Sequence, residues 1–197
     1  MFRRSVLALG LAPLFAHAGN QAEEPLADSV RTALSSAVAN SAPPEPEFAD
    51  TASRIAYVRW LGEMSSRLGQ LTKQRLDLTT RQEFLQTVWY EARRAGLEAS
   101  LVLGLIQVES AFRKHAVSSV GARGYMQVMP FWSRLIGDGD AGKLFHMQTN
   151  LRFGCLILRH YLDREGGDLF MALGRYNGSR GRGEYPNSVL AAKKNWS

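Results

Sequence analysis

Cysteine is almost absent. Cys155 is the only one in 197 residues, so no internal disulfide is available and the fold must stand on packing. Metal-ligand spacing is missing too: His115, His146 and His160 form no HExxH-like pattern, and neither a metal nor another cofactor is expected. There is no RNP, finger or basic-zipper motif, which argues against nucleic acid despite a net charge of +6. Gly121-x-x-Gly124 lacks the lysine and the spacing of a phosphate loop. Beyond the first residues no apolar run is long enough to cross a bilayer, so the mature chain is expected to have no transmembrane segment. Period-two alternation is missing throughout, which removes half-buried strands and leaves an all-α chain.

What is present begins with a secretory signal over residues 1–18. Arg3 and Arg4 give a basic start, Val6 to Phe15 a short apolar core, and Ala16-His17-Ala18 a small-x-small cleavage site. No cysteine stands near that site to accept a lipid. The expectation is an exported protein, periplasmic or released outside the cell. Residues 19–50 are rich in Ala, Ser, Pro and Glu and read as a flexible linker, broken at Pro43-Pro44-Glu45-Pro46, with a short helix over 27–39. N-terminal helices follow over 51–95. Ile55, Val58, Leu61, Met64, Leu68 and Leu71 form the stripe of the first. Thr79 or Thr80 caps the second, with Phe84, Leu85, Val88, Trp89 and Ala92 inside. A catalytic-size unit is expected over 96–190, with helices at 99–112, after Pro130, over 148–164, after Asp168 and from Pro186. Residues 191–197 read as a tail.

Glu109 is the candidate for chemistry. It ends a helix whose Leu101, Val102, Leu105, Ile106 and Val108 are apolar. Burial and the negative end of a helix dipole both disfavour its anion. A carboxyl that keeps its proton near neutral pH can protonate a leaving oxygen. The plain alternative for one glutamate is a solvated helix face. Most glycosidases pair two carboxylates, yet Glu91, Glu98, Asp138 and Asp140 have no motif role beside Glu109.

Four blocks occur in order: Glu109-Ser110-Ala111-Phe112; Ser118 to Pro130; Asn150 to Gly154 with Tyr161-Leu162; and Ala172 to Gly178 with Tyr185 and Val189 beyond. Together they resemble the catalytic domain of the soluble lytic transglycosylases, lysozyme-like enzymes of the bacterial cell wall, over roughly 97–189. The resemblance implies a lysozyme-like helical domain and a peptidoglycan lytic transglycosylase. It makes Glu109 the single catalytic acid. Ser118, Gln127 and Met129 match positions that contact the acetamido sugars, Tyr176 a tyrosine near the carboxyl, and Asn177 stands beside it. Tyr125 replaces the motif's usual leucine and would alter a cleft wall. Gly121 and Gly124 would let backbone approach a sugar. The implied partner is the peptidoglycan glycan strand, and the implied product a 1,6-anhydromuramyl end formed with help from the sugar's own acetamido group. Two alternatives stand beside it: a goose-type lysozyme, which shares the architecture and transfers the sugar to water, and a catalytically idle wall-binding or secretion-assembly module.

Overall fold

The computed structural model describes residues 21–39 and 46–197. The expected signal at 1–18 and the Pro43-Pro44 break lie outside the described residues. Among the described residues eight α-helices run in order: α1 Asp28–Ala39, α2 Thr51–Leu71, α3 Leu78–Arg94, α4 Ala99–Ser110, α5 Pro130–Ile136, α6 Met147–Arg164, α7 Leu169–Asn177 and α8 Glu184–Lys193. Short 3-10 turns cover Ala141–Phe145 and Lys194–Trp196. Among the described residues extended pairing is limited to two isolated bridges, Val117 with Arg123 and Arg123 with Val128. Among the described residues the fold is all-α, with the N-terminal helices packed on those that follow.

Local chemistry sets most boundaries. The carboxylates of Asp50, Asp77 and Asp168 accept from the backbone nitrogens of Ser53, Thr80 and Met171, capping α2, α3 and α7 by satisfying first-turn donors that have no partner within the helix. The cap of α3 is therefore Asp77, and Thr80 is the donor it holds rather than the cap itself. Pro130 opens α5 as expected, because the first turn needs no donor from it.

Helix α4 is the central rod. Leu101 to Ile106 are all buried, Gly104 included, so the helix is apolar on every side and must be enclosed. Helix α8 lies against it so closely that a Cβ on Gly104 would stand 2.6 Å from the Lys193 backbone nitrogen. α3 packs on both α4 and α6, and α7 packs on α6 and α8. The stripe expected on α2 is only half used. Met64 and Leu68 are buried, while Ile55 and Val58 are more than half exposed, because the face turned to α3 runs through Tyr57, which meets Trp89 at 4.9 Å, and then through Met64, Ser65 and Leu68.

Two expectations at the ends are corrected. Residues 191–197 are not a free tail: Trp196 is buried, its ring centroid lies 5.3 Å from that of Phe112, and its indole N–H donates to Gln107 Oε1 at 2.9 Å. An indole supplies enough apolar area to hold the terminus down against α4. The stretch read as a flexible linker is also packed where it is described. α1 contacts α5 and α6, and Leu26, Leu34 and Val38 lie against the core.

Candidate active site

Glu109 occupies the last turn of α4. The helix stops there because Ala111 and Phe112 both take left-handed backbone angles, with φ of 48° and 60°. Such angles cost a non-glycine residue of order 1 kcal/mol and persist only when packing over-determines them. Phe112 provides that packing, set edge-on to Phe84 and Trp196. The Glu109 side chain is therefore held at a fixed depth, 8% exposed. The Tyr185 hydroxyl, on α8, donates to its Oε1 at 2.5 Å. Its Oε2 is buried and has no hydrogen-bond partner. Burial pushes the carboxyl from an ordinary 4.5 up to about 8, with the Tyr185 hydrogen bond pulling the other way. The group thus holds its proton at neutral pH. Burial, reinforced by Glu109 nearby, raises the Tyr176 and Tyr185 phenols well above their ordinary value, so both stay neutral.

The segment from Ser118 to Pro130 forms the opposite wall and is held by internal hydrogen bonds. Ser118 Oγ accepts from the Ala122 nitrogen at 3.0 Å, and the Ser118 nitrogen donates to the Ala122 carbonyl at 3.0 Å. Arg123 and Val128 exchange two backbone bonds, each 3.0 Å. Asn150, at the start of α6, pins the whole loop. It accepts from the Met126 nitrogen and donates to the carbonyls of Arg123 and Leu144, each at 2.8 Å. Gly124, at φ +75°, is where that side chain passes: a Cβ would lie 2.4 Å from Asn150 Nδ2. The glycine expected to admit a sugar admits Asn150 instead.

A small pocket is lined by Gln21, Glu109, Ala122, Gln127, Met129, Tyr176 and Asn177. Five of the seven residues expected from the sequence meet there: Glu109, Gln127, Met129, Tyr176 and Asn177. Ser118 is not on that lining, and its hydroxyl serves the loop turn. Tyr125 is corrected outright. It is 2% exposed and packs 4.9 Å from the Phe84 ring, so it belongs to the core rather than to a cleft wall. A phenyl ring at that position gains more from burial against α3 than from lining a groove. Gln127 braces as well as lines: its amide nitrogen donates to the carbonyls of Gly124 at 2.9 Å and Ala116 at 3.2 Å. Tyr176 lines the pocket, but its hydroxyl donates to the Met126 carbonyl at 2.8 Å, not to the carboxyl.

Tyr185 is the contact that the sequence reading missed. It stood in the fourth block without a role. The available signal was a tyrosine in the first turn of a helix whose neighbours Pro186 and Val189 face inward, because a buried phenol needs a partner. Tyr185→Phe is expected to cut turnover about tenfold, one lost hydrogen bond to the acid. It should also move the alkaline limb of the pH–rate profile upward, since the bond that lowers the Glu109 pKa is gone. A structural role alone would leave that limb in place, and an unmoved limb would remove Tyr185 from the site.

Among the described residues no group of three or more His, Cys, Asp or Glu side chains is placed to hold a metal ion. Cys155 is buried on α6, and burial raises its thiol well above the ordinary range. No described helix is long and apolar enough to cross a membrane.

The sequence model of one protein family, described as "Transglycosylase SLT domain", matches residues 86–195. "Membrane-bound lytic murein transglycosylase C" of Actinobacillus pleuropneumoniae is 39% identical over 84 residues, covering 39% of this chain and 23% of that protein. The protein of the same name from Haemophilus ducreyi is 45% identical over 93 residues, covering 41% and 25%. "Transglycosylase" of Enterobacteria phage PRD1 is 31% identical over 115 residues, covering 55% and 42%. A solved lytic transglycosylase Slt from Pseudomonas aeruginosa aligns with a TM-score of 0.47 at 23% identity, covering 73% of this chain and 27% of that one. The chain thus spans a quarter or less of the two murein enzymes, and under half of the phage protein.

Proposed function

The chain belongs to the transglycosylase SLT domain family, and from that premise we propose that it is a peptidoglycan lytic transglycosylase. It cleaves the β-1,4 bond between N-acetylmuramic acid and N-acetylglucosamine and leaves a 1,6-anhydromuramyl end. The observation that carries this reading is that Glu109 is the one acid on the pocket lining and is protonated at neutral pH. A two-carboxylate mechanism needs a second acid across the bond, roughly 5 to 9.5 Å away. A single carboxyl must work twice.

The steps balance with one proton. Glu109 donates it to the bridging oxygen as the bond to the anomeric carbon breaks, and the next sugar leaves as an alcohol. The substrate's acetamido carbonyl shares the positive charge on that carbon. The Glu109 carboxylate then takes the proton of the C6 hydroxyl as its oxygen closes on the anomeric carbon. The carboxyl ends as it began, and no water is consumed. Tyr185 fixes Oε1, which leaves Oε2 for the proton and limits the misalignment that is costly to rate. Gln127, Asn177 and Met129 supply the polar and apolar wall for the acetamido sugars, and Tyr176 orients that wall through Met126. Ser118 acts at one remove, by shaping the turn.

The catalytic unit is read as residues 96–190, with 51–95 packed on its back. The segment 1–18 is read as an export signal, cleaved after Ala18, which delivers the enzyme to the glycan in the periplasm or outside the cell. Digestion of purified sacculi followed by mass spectrometry of the soluble products tests the proposal. Muropeptides lacking the elements of one water at the muramyl end are expected. Reducing ends would convert the reading to hydrolysis, and an absence of soluble product would remove the enzyme altogether.

A further inference from the structure

The wall of the pocket facing Glu109 includes a residue from outside the catalytic unit. Gln21 enters from the N-terminal segment, and only about 10 Å³ of free space remains beside it, room for roughly one water and not for a sugar ring. Its side-chain amide is held on both ends. The Trp132 indole donates to Oε1 at 3.3 Å, and Nε2 donates to the Tyr161 hydroxyl at 3.0 Å. Trp132 and Tyr161 are themselves buried and set edge-on at 6.1 Å, so the amide rests on a rigid aromatic floor.

The following residues lie on a basic ledge. The Glu24 carboxylate pairs with Arg175 at 3.0 Å and with Arg164, and Glu23 pairs with Arg134 at 3.4 Å. Arg175 belongs to α7, one residue before Tyr176, so the ledge continues directly from the pocket. Leu26 then packs on the core and α1 follows.

We propose that residues 21–24 are a built-in competitor of the substrate. The Gln21 amide stands where an acetamido group of the glycan sits, and the Glu24 carboxylate stands where a carboxylate of its peptide stem sits. This rests on the glycan-cleaving reading of the pocket. The chemistry of the two mimics matches. A primary amide and an N-acetyl group both offer a carbonyl acceptor and an N–H donor, the pair that Trp132 and Tyr161 engage. A glutamate side chain and a peptide stem present the same carboxylate group to an arginine. The ledge of Arg164 and Arg175 thereby becomes a subsite for carboxylate-bearing stems, and the strap must leave before glycan enters. Its hold is weak enough to exchange, because Arg175 keeps Glu165 as a second partner at 2.6 Å, and partly exposed ion pairs and two neutral hydrogen bonds each contribute little.

Binding is measured in the Glu109→Gln chain, so that turnover does not intrude. The strap is neutralised by Gln21→Gly with Glu23→Gly and Glu24→Gly. Affinity for soluble glycan strands that carry peptide stems is expected to rise about tenfold, and to rise less for strands stripped of peptide. No rise, or an equal rise for both strands, overturns the proposal. Glu24→Gln alone keeps the backbone and shape of the segment and should give a smaller rise for stem-bearing strands only. A fall in that variant also overturns it. Chains that bind more tightly without the strap but yield no product with Glu109 restored would sink the catalytic reading and leave the strap standing.

Discussion

Glu109→Gln is expected to release no anhydro-muropeptide from sacculi while folding more stably than the parent at neutral pH. The first half follows from the lone acid. A positioned general acid–base contributes about 10² to 10⁴ in rate, and the proposed mechanism makes the same group both acid and base, with no other acid on the pocket lining. Gln keeps the carbonyl that Tyr185 donates to but has no proton to give. The second half follows from linkage. The folded carboxyl titrates at about 8 against an ordinary 4.5, so between those values the folded state binds a proton that the unfolded chain has released. Stability therefore falls as pH rises through that window. At pH 7 the accumulated cost is on the order of 3 kcal/mol. Gln does not titrate and escapes it. Denaturant midpoints of both chains at pH 5, 7 and 9 should coincide most nearly at the lowest pH and diverge upward. Parallel midpoints would mean that the carboxyl ionises freely, and the mechanism would lose its proton donor. In the parent, activity should fall as pH rises through about 8, where the donor is spent before the reaction begins.

A loss of about 3 to 5 kcal/mol of folding stability is expected for Glu91→Gln. Glu91, on α3, is buried and receives Arg152 of α6 through two hydrogen bonds to Oε1, Nε at 3.0 Å and Nη2 at 2.8 Å. The two side chains are 2% and 6% exposed, so neither charge has water as an alternative. Arg94 lies at 3.7 Å from the other oxygen, and Arg152 also donates to the Val38 carbonyl at the end of α1. One carboxylate thus joins α3 to α6, and through Arg152 reaches α1. Gln preserves its shape and removes its charge, which leaves a guanidinium in low dielectric without its counter-ion. The double variant Glu91→Leu with Arg152→Met should recover most of the loss, because an apolar pair of similar volume carries no desolvation penalty. Urea midpoints decide it. A single variant as stable as the parent would show that the pair is not isolated from solvent. Product chemistry on sacculi should be the same in whatever fraction folds, since the pair touches no part of the pocket.

The helices were legible because their signals are local. Asp168 caps α7 within three residues, Pro130 opens α5, and Leu151, Cys155 and Leu158 recur on one face of α6. Glu109 was legible for the same reason: an acid closing an apolar helix is visible in twelve residues. What was not legible falls where a side chain chooses among partners far away in sequence. Tyr125 and Tyr176 both stood in motif blocks, yet one turned into the core and the other onto the Met126 carbonyl. Glu91 carried no motif and proved to be a buried ion-pair centre. Trp196 sat in a stretch with the polarity of a tail, and a single indole anchored it.

By itself, then, the sequence determined an all-α chain, the positions of most of its helices and the carboxyl proposed as the acid, since periodicity, caps and apolar surroundings are properties of neighbouring residues. Only the tertiary structure decided how that carboxyl is held. Tyr185 lies 76 residues from Glu109, and Gln21 reaches Tyr161 across 140. Such pairs are selected by the close approach of α8 to α4 and by the docking of the N-terminal segment, and packing of that kind leaves no spacing along the chain to read.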